Sequence, residues 1–258
     1  NMDAAIDLLR KRGLAKADKK AGRVAAEGVV TVASSADQTK AVIVELNCET
    51  DFVAKNDDFV AFARRCAETA LAQAAALEDL AAGEIEETRK SLVSKLGENI
   101  ALRRVQHMSV DTGRVGTYQH GSRIGVLVAI AGDASEELGR DLAMHVAASR
   151  PEVVKPEDVS AERVAKEKEI LIAQAADSGK PREIIEKMVS GRMSKFLNEI
   201  ALTGQPFVKN PDQTVGDLLK AAGNATVLEF ARFEVGEGIE KAPTADFASE
   251  VMAQVRGS

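Results

Sequence analysis

The chain has 258 residues, enough for one large domain or two modest ones, and its 45% hydrophobic and 29% charged content places it among soluble globular chains rather than disordered ones. A net charge of −6 and a pI of about 5.3 disfavour a general nucleic-acid binder, and 3% aromatic residues, with no Trp and one Tyr, leave little for a base-stacking platform. No apolar run is long enough to span a bilayer, the charged amphipathic start is not a signal peptide, and two cysteines, Cys48 and Cys66, are too few for a disulfide framework and read as reduced, buried, cytosolic thiols.

Residues 2–12 carry helical spacing in Ile6, Leu8 and Leu9, with Gly13 as the stop. The sequence begins at Asn1 rather than Met, which leaves room for residues upstream. Lys11, Arg12, Lys16, Lys19, Lys20 and Arg23 form a basic segment without aromatics, read first as a solvated linker helix and second as a phosphate contact. Residues 28–33 and 40–46 are expected strands joined by a polar turn at 34–38. After Asn47-Cys48-Glu49-Thr50-Asp51-Phe52-Val53-Ala54-Lys55 comes an expected helix over 57–76, with Asp57 or Asp58 as cap and Phe59, Phe62, Cys66, Ala70 and Ala74 as a buried stripe. A second helix is expected over 84–96, stopped by Gly97. Strands follow at 100–110, 115–119 and 124–130, with a turn at 120–122, and then a helix over 135–149 that ends at Arg150-Pro151.

Two charged helices with narrow apolar stripes, 161–176 and 182–202, flank a break at Ser178-Gly179-Lys180-Pro181. That pattern describes an antiparallel helical hairpin, either an inert projection or a partner-binding arm. A short helix at 214–222, a strand at 225–235 and a terminal helix at 244–255 complete the chain.

An internal repeat organises these elements. The strand at 41–46 with the helix segment at 62–69, and the strand at 125–130 with the helix segment at 142–149, lie about 80 positions apart, and each follows a hairpin partner. The fold class is therefore α+β, with two pseudo-symmetric subdomains of antiparallel sheet plus helices and an antiparallel helical hairpin. The copies differ in their connection: 16 positions separate Leu46 from Phe62, but only 12 separate Ile130 from Leu142. The longer connection carries Thr50-Asp51-Phe52-Val53, where Phe52 either reaches outward to a partner or folds back into its own core.

Catalytic signatures are missing. There is no phosphate-binding Gly-rich loop ending in Lys-Ser/Thr, and Gly236-Glu237-Gly238 lacks the third glycine of a dinucleotide fingerprint. His107, His120 and His145 have no Cys or carboxylate at metal-ligand spacing, no Gly-x-Ser-x-Gly elbow occurs, and Glu86-Glu87 and Glu136-Glu137 read as solvated pairs on helix faces. A binding protein without cofactor, rather than an enzyme, is the expectation. His145 falls within the apolar arc of Leu138, Leu142 and Val146, a core or rim histidine first and an interface histidine second.

The stretch 47–55, together with Tyr118-Gln119-His120-Gly121-Ser122-Arg123-Ile124-Gly125-Val126, Met144-His145-Val146-Ala147-Ala148-Ser149, Ser190-Gly191-Arg192-Met193, Leu202-Thr203-Gly204-Gln205-Pro206-Phe207 and Arg232-Phe233-Glu234-Val235-Gly236-Glu237-Gly238, closely resembles the bacterial elongation factor Ts family. These are nucleotide-exchange factors of the translational GTPase elongation factor Tu (EF-Tu), and the resemblance spans residues 13–238. It implies a cytoplasmic protein that binds EF-Tu and does not itself bind nucleotide or a membrane. Thr50, Asp51, Phe52 and Val53 would enter the G domain and dislodge its Mg²⁺, while Ile124, Gly125 and His145 would face another domain of EF-Tu.

The resemblance also implies a domain plan: a remnant N-terminal helix and linker at 1–25, a core N-subdomain at 26–111, a core C-subdomain at 112–158 with 204–240, the hairpin at 159–203, and a C-terminal helical module at 241–258. Only residues 2–13 resemble the family's small N-terminal domain, so most of that domain is expected to be lacking. Two rivals stay open. An enzyme with an unrecognised site predicts turnover without a GTPase, and a ribosome- or RNA-associated structural module predicts binding that weakens steeply with salt.

Overall fold

A computed structural model describes residues 17, 19–176, 179–223 and 225–240. The helices expected at 2–12 and 244–255, and Lys11, Arg12 and Lys16 of the basic segment, lie outside the described residues. The architecture is α+β, as the alternation of apolar runs and helical stripes predicts.

Two apolar runs make the first hairpin, β1 (Glu27–Ser34) and β2 (Lys40–Cys48). Every residue of β2 from Ala41 to Cys48 is buried, the polar Glu45 and Asn47 included, so both faces of the strand are covered. Four helices follow: α1 (Asp51–Ala54), α2 (Asp57–Gln73), α3 (Leu77–Leu80) and α4 (Gly83–Leu96). β3 (Ala101–Ser109) then completes a three-stranded sheet in the order β1-β2-β3.

The expected stripe of α2 is buried at Phe59, Phe62, Cys66 and Ala70. Ala74 instead takes a left-handed conformation (φ 49°) and ends the helix three residues before the expected stop. The cap is Asn56 rather than Asp57 or Asp58, because its side-chain oxygen accepts the free N–H groups of Asp58 and Phe59 at 3.0 and 3.4 Å. Glu86 is not merely solvated either. Arg89 and Lys90 pair with it at 2.7 and 3.5 Å along α4, and the Arg89 hydrogen bond holds its carboxyl below the ordinary range.

Further along come β4 (Gly113–His120), β5 (Ile124–Ala131), α5 (Glu136–Ser149), α6 (Ala161–Ala176) and α7 (Arg182–Ile200). The chain continues through β6 (Pro206–Phe207), β7 (Asn210–Thr214), α8 (Val215–Ala221) and β8 (Thr226–Glu234). The second sheet has the order β4-β5-β8, with β4 and β5 antiparallel in a register that sets Gly113 against Ala131 and His120 against Ile124. No helix among the described residues is long and apolar enough to cross a membrane.

The described residues divide into two compact units, those within 17–31, 44–105 and 233–240, and those within 32–43 and 106–232. In the first, α2 packs against α1, α3 and α4, burying Phe59, Phe62, Cys66, Leu92 and Val93. In the second, α5 lies on β4 and β5, and Leu138, Leu142 and Val146 join Val126, Val128, Ile130, Phe207, Val215 and Val227 in one apolar core. The repeat read from the sequence has a backbone counterpart. Gly28 (φ 145°) lies against the carbonyl of Leu46, and Gly113 (φ 122°) lies against that of Ile130, so closely that neither site has room for a Cβ.

The hairpin forms as the two stripes require. α6 and α7 pack on each other through Leu171, Ala175, Val189 and Met193, with Phe196 and Leu197 beside them. An open groove of about 710 Å³ runs along them, lined by Val164, Ile172, Ile185 and other residues of both helices. Its root is fastened by a parallel bridge between Val153 and Ala201, and by hydrogen bonds from Glu152 N–H to Ile200 O (2.8 Å) and Leu202 N–H to Val153 O (2.9 Å).

Candidate functional site

The buried β2 delivers the chain to a polar junction, and there the stretch expected as a loop folds into a single helical turn, α1. Four residues cannot hold a helix by themselves, because nucleation fixes several dihedrals for one hydrogen bond. The turn survives through its tethers. Thr50 is the N-cap, its hydroxyl accepting from Val53 N–H at 3.4 Å. Glu98, just past α4, takes the N–H groups of Glu49 and Thr50 on one carboxylate oxygen, both at 3.0 Å, and the Thr50 hydroxyl on the other at 2.6 Å. Glu49 returns the contact by accepting Asn99 N–H at 2.6 Å. The Cys48 thiol donates to Thr50 O at 3.1 Å, and Val53 and Ala54 are buried beneath the turn.

With its base fixed, α1 turns two side chains outward. Phe52 is 82% exposed, the largest value among the exposed large hydrophobics described, so the aromatic reaches outward and does not return to its own core. Asp51 is exposed beside it, and the hydrogen bond from Lys55 Nζ at 2.7 Å holds its carboxyl below the usual carboxylate range. It is therefore ionised at neutral pH. Nearby Cys48 is inert, since burial pushes its thiol up to about 12, as it does that of Cys66.

A buried charge anchors the strand that carries this turn. Glu45 on β2 is fully buried and accepts from Arg103 (3.1 Å), Arg104 (2.5 Å), Asn47 Nδ2 (3.1 Å) and Gly236 N–H (2.8 Å). Burial alone would raise its carboxyl, but the Gly236 N–H and Arg104 outweigh it and hold the group below its ordinary value.

The second expected set is divided. Ile124 is half-buried at the start of β5, and Gly125 is buried beside it. His145 is fully buried. Val208 N–H donates to its Nδ1 at 3.1 Å, so Nε2 carries the proton and donates to Gln205 Oε1 at 2.9 Å. Burial holds this imidazole below its ordinary pKa, that is, neutral. A ring enclosed by its own core, with both nitrogens used, presents no surface to a partner, and the core reading of His145 prevails. The exposed histidine near Ile124 is His120, directly across the ladder at the end of the β4–β5 hairpin, with Tyr118 Oη 3.2 Å from its Nδ1. Two features eluded the sequence reading. Glu98 lies 48 positions from Thr50 and has no local signature, whereas His120 could have been found from the turn at 120–122, which folds it back onto Ile124.

Thr50 to Val53 belong to the first unit, and Ile124, Gly125 and His145 to the second. Among the described residues no group of three or more His, Cys, Asp or Glu could hold a metal ion. The arrangement is suited to mechanical contact: a rigid turn, an apolar tip and an adjacent carboxylate.

The model of the family described as Elongation factor TS matches residues 49–237. Among similar proteins, one from Acidithiobacillus ferrooxidans named Elongation factor Ts is 69% identical, covering 100% of this chain and 89% of that protein. Proteins of the same name from Methylococcus capsulatus and Yersinia pestis are 57% and 56% identical, each over 100% of this chain and 89% of their own length.

Proposed function

The chain belongs to the elongation factor Ts family of translation elongation factors, and on that premise we propose that it is a guanine-nucleotide exchange factor that binds EF-Tu·GDP, displaces Mg²⁺ and promotes GDP release so that GTP can rebind. The observation that carries this reading is Phe52, an aromatic 82% exposed on a turn that is tethered from behind. Exchange needs no acid, base or cofactor of its own. It is a linkage effect: a factor that weakens the GTPase's hold on GDP is itself weakened by GDP to the same extent.

The wedge has the energy for this. Burying Phe52 in a partner's packed interior is worth roughly 1.5–3 kcal/mol. Little is lost to ordering, because the turn is already formed. A close-packed interior passes such an intrusion on instead of absorbing it. Mg²⁺ is sensitive to small displacements because it demands near-octahedral geometry at short distances. Asp51, held ionised, adds a negative charge that repels phosphates or accepts partner N–H groups, without becoming a metal ligand in the final complex. Ile124 and Gly125 at the start of β5 form the second contact, with exposed His120 across the ladder in place of the buried His145. The domain plan drawn from the resemblance, with boundaries near 25, 111, 158, 203 and 240, belongs to the same proposal.

The test is release of labelled GDP from EF-Tu. The chain is expected to accelerate release in proportion to its concentration, Asp51→Ala and Phe52→Ala to do so less well, and His120→Ala to raise the half-saturating concentration. No acceleration by the parent chain would overturn the proposal.

A further inference from the structure

We propose that Glu98 is a positioning residue for exchange: its carboxylate clamps the Glu49–Thr50 junction and thereby aims Asp51 and Phe52, the two residues that follow. This rests on the reading of Phe52 as a wedge. All three donors to Glu98 come from the two residues immediately before α1, at 3.0, 3.0 and 2.6 Å. Ionised acceptors make the stronger hydrogen bonds, and a carboxylate with two oxygens can fix both a backbone direction and a hydroxyl direction at once.

The hydroxyl is the critical part. Thr50 Oγ1 gives its one proton to Glu98 Oε1, so a lone pair remains for Val53 N–H, the contact that caps α1. Without Glu98 the hydroxyl is free to rotate, and the capping contact, already long at 3.4 Å, loses the bond that orients it. The N–H groups of Glu49 and Thr50 would also lose their acceptor in a half-buried site.

The clamp is itself well founded. Gly97 ends α4 in the left-handed region (φ 81°) and turns the chain toward the junction. Asn99, the next residue after Glu98, donates its N–H to Glu49 and its side-chain amide to Arg23 O at 2.8 Å. Residues 49–50 and 98–99 thus exchange hydrogen bonds in both directions, and four of these bonds converge on the base of a four-residue helix.

Two measurements test the clamp. The chain has no Trp, so Phe52→Trp supplies a single reporter whose time-resolved anisotropy reads local motion at the tip without any GTPase. Adding Glu98→Ala is expected to shrink the slow component of the decay, with Glu98→Gln intermediate, since an amide keeps one acceptor oxygen. In the GDP-release assay Glu98→Ala is expected to lower the maximal rate about tenfold while moving the half-saturating concentration less than about threefold, because misaim spoils the displaced state more than docking. Glu98→Gln should lower it about threefold, and it carries the test if Glu98→Ala does not fold. In a Phe52→Ala background Glu98→Ala should add less than about twofold, since the wedge it aims is gone.

Unchanged anisotropy and release in Glu98→Ala would overturn the proposal, as would a full tenfold loss persisting in the Phe52→Ala background. If Phe52→Ala itself leaves release unchanged, the wedge reading fails, and with it any role of Glu98 in exchange. A mobile tip in Glu98→Ala would then mark the clamp as structural only.

Discussion

Phe52 and Val53 are neighbours on one helical turn with opposite surroundings, and that contrast yields the sharpest prediction. Phe52 is 82% exposed and Val53 8%. Phe52→Ala removes a side chain that gives the isolated fold almost nothing, so its unfolding free energy should stay within about 0.5 kcal/mol of the parent. The same side chain still has nearly all its transfer free energy available to a partner, roughly 1.5–3 kcal/mol, which corresponds to a loss of roughly 10- to 150-fold in exchange. Val53→Ala deletes two buried methyl groups and leaves a small void, a loss of about 1.5–2.5 kcal/mol in stability. Thermal unfolding followed by circular dichroism reads the first quantity, and stopped-flow release of fluorescent GDP from EF-Tu reads the second. The reasoning fails if Phe52→Ala lowers the melting temperature as much as Val53→Ala does, or if it exchanges GDP at the parental rate.

Glu45→Ala should cost about 3 kcal/mol, at the lower end for breaking a buried ion pair because Arg103 and Arg104 still reach solvent, and equilibrium denaturation measures it. Because the folded carboxyl is held below its ordinary value of 4.5, Glu45 contributes stability that is present above that pH and lost as pH falls through its lower folded pKa; Glu45→Gln should therefore flatten the acid side of a stability-against-pH curve. His145 has the same sign for a different cause: burial depresses its pKa below 6.5, so as pH drops beneath that value the unfolded chain takes up a proton that the folded one refuses, and stability falls. His145→Ala should remove this pH dependence and cost about 3 kcal/mol, seen by thermal melts at pH 5.5 and 7.5. Cys48 and Cys66, pushed up to about 12, should resist alkylation at pH 8 in the folded protein and react at a rate set by unfolding.

Periodicity carried the helices and strands well because their burial is local: the stripe Phe59, Phe62, Cys66, Ala70 needed only a spacing of three and four to be recognised. The repeat was equally legible, and Gly28 and Gly113 show the backbone contact beneath it. What eluded the sequence reading was set by contacts distant along the chain. α1 looks like a loop because no four-residue segment has helical periodicity; its shape depends on Glu98, 48 positions away. For His145, helical spacing gives the side chain's arc but not what closes over it, and here Gln205 and Val208 do so from some 60 residues downstream. The side of the junction to which Phe52 turns is likewise set by which neighbours are buried, and these are Val53 and Ala54.

The fastening of Val153 to Ala201 at the root of the helical hairpin brings the beginning and end of that insertion together at one place in the host. An insertion closed in this way is free in length. α6 has 16 residues and α7 has 19, which at about 1.5 Å per residue makes them roughly 24 and 28 Å long. Whole turns could be added or removed at the far end in steps of about 5.4 Å without altering the register of any strand or the core around Leu142 and Val146. The hairpin is thus an adjustable ruler: its reach can change while the host fold stays as it is.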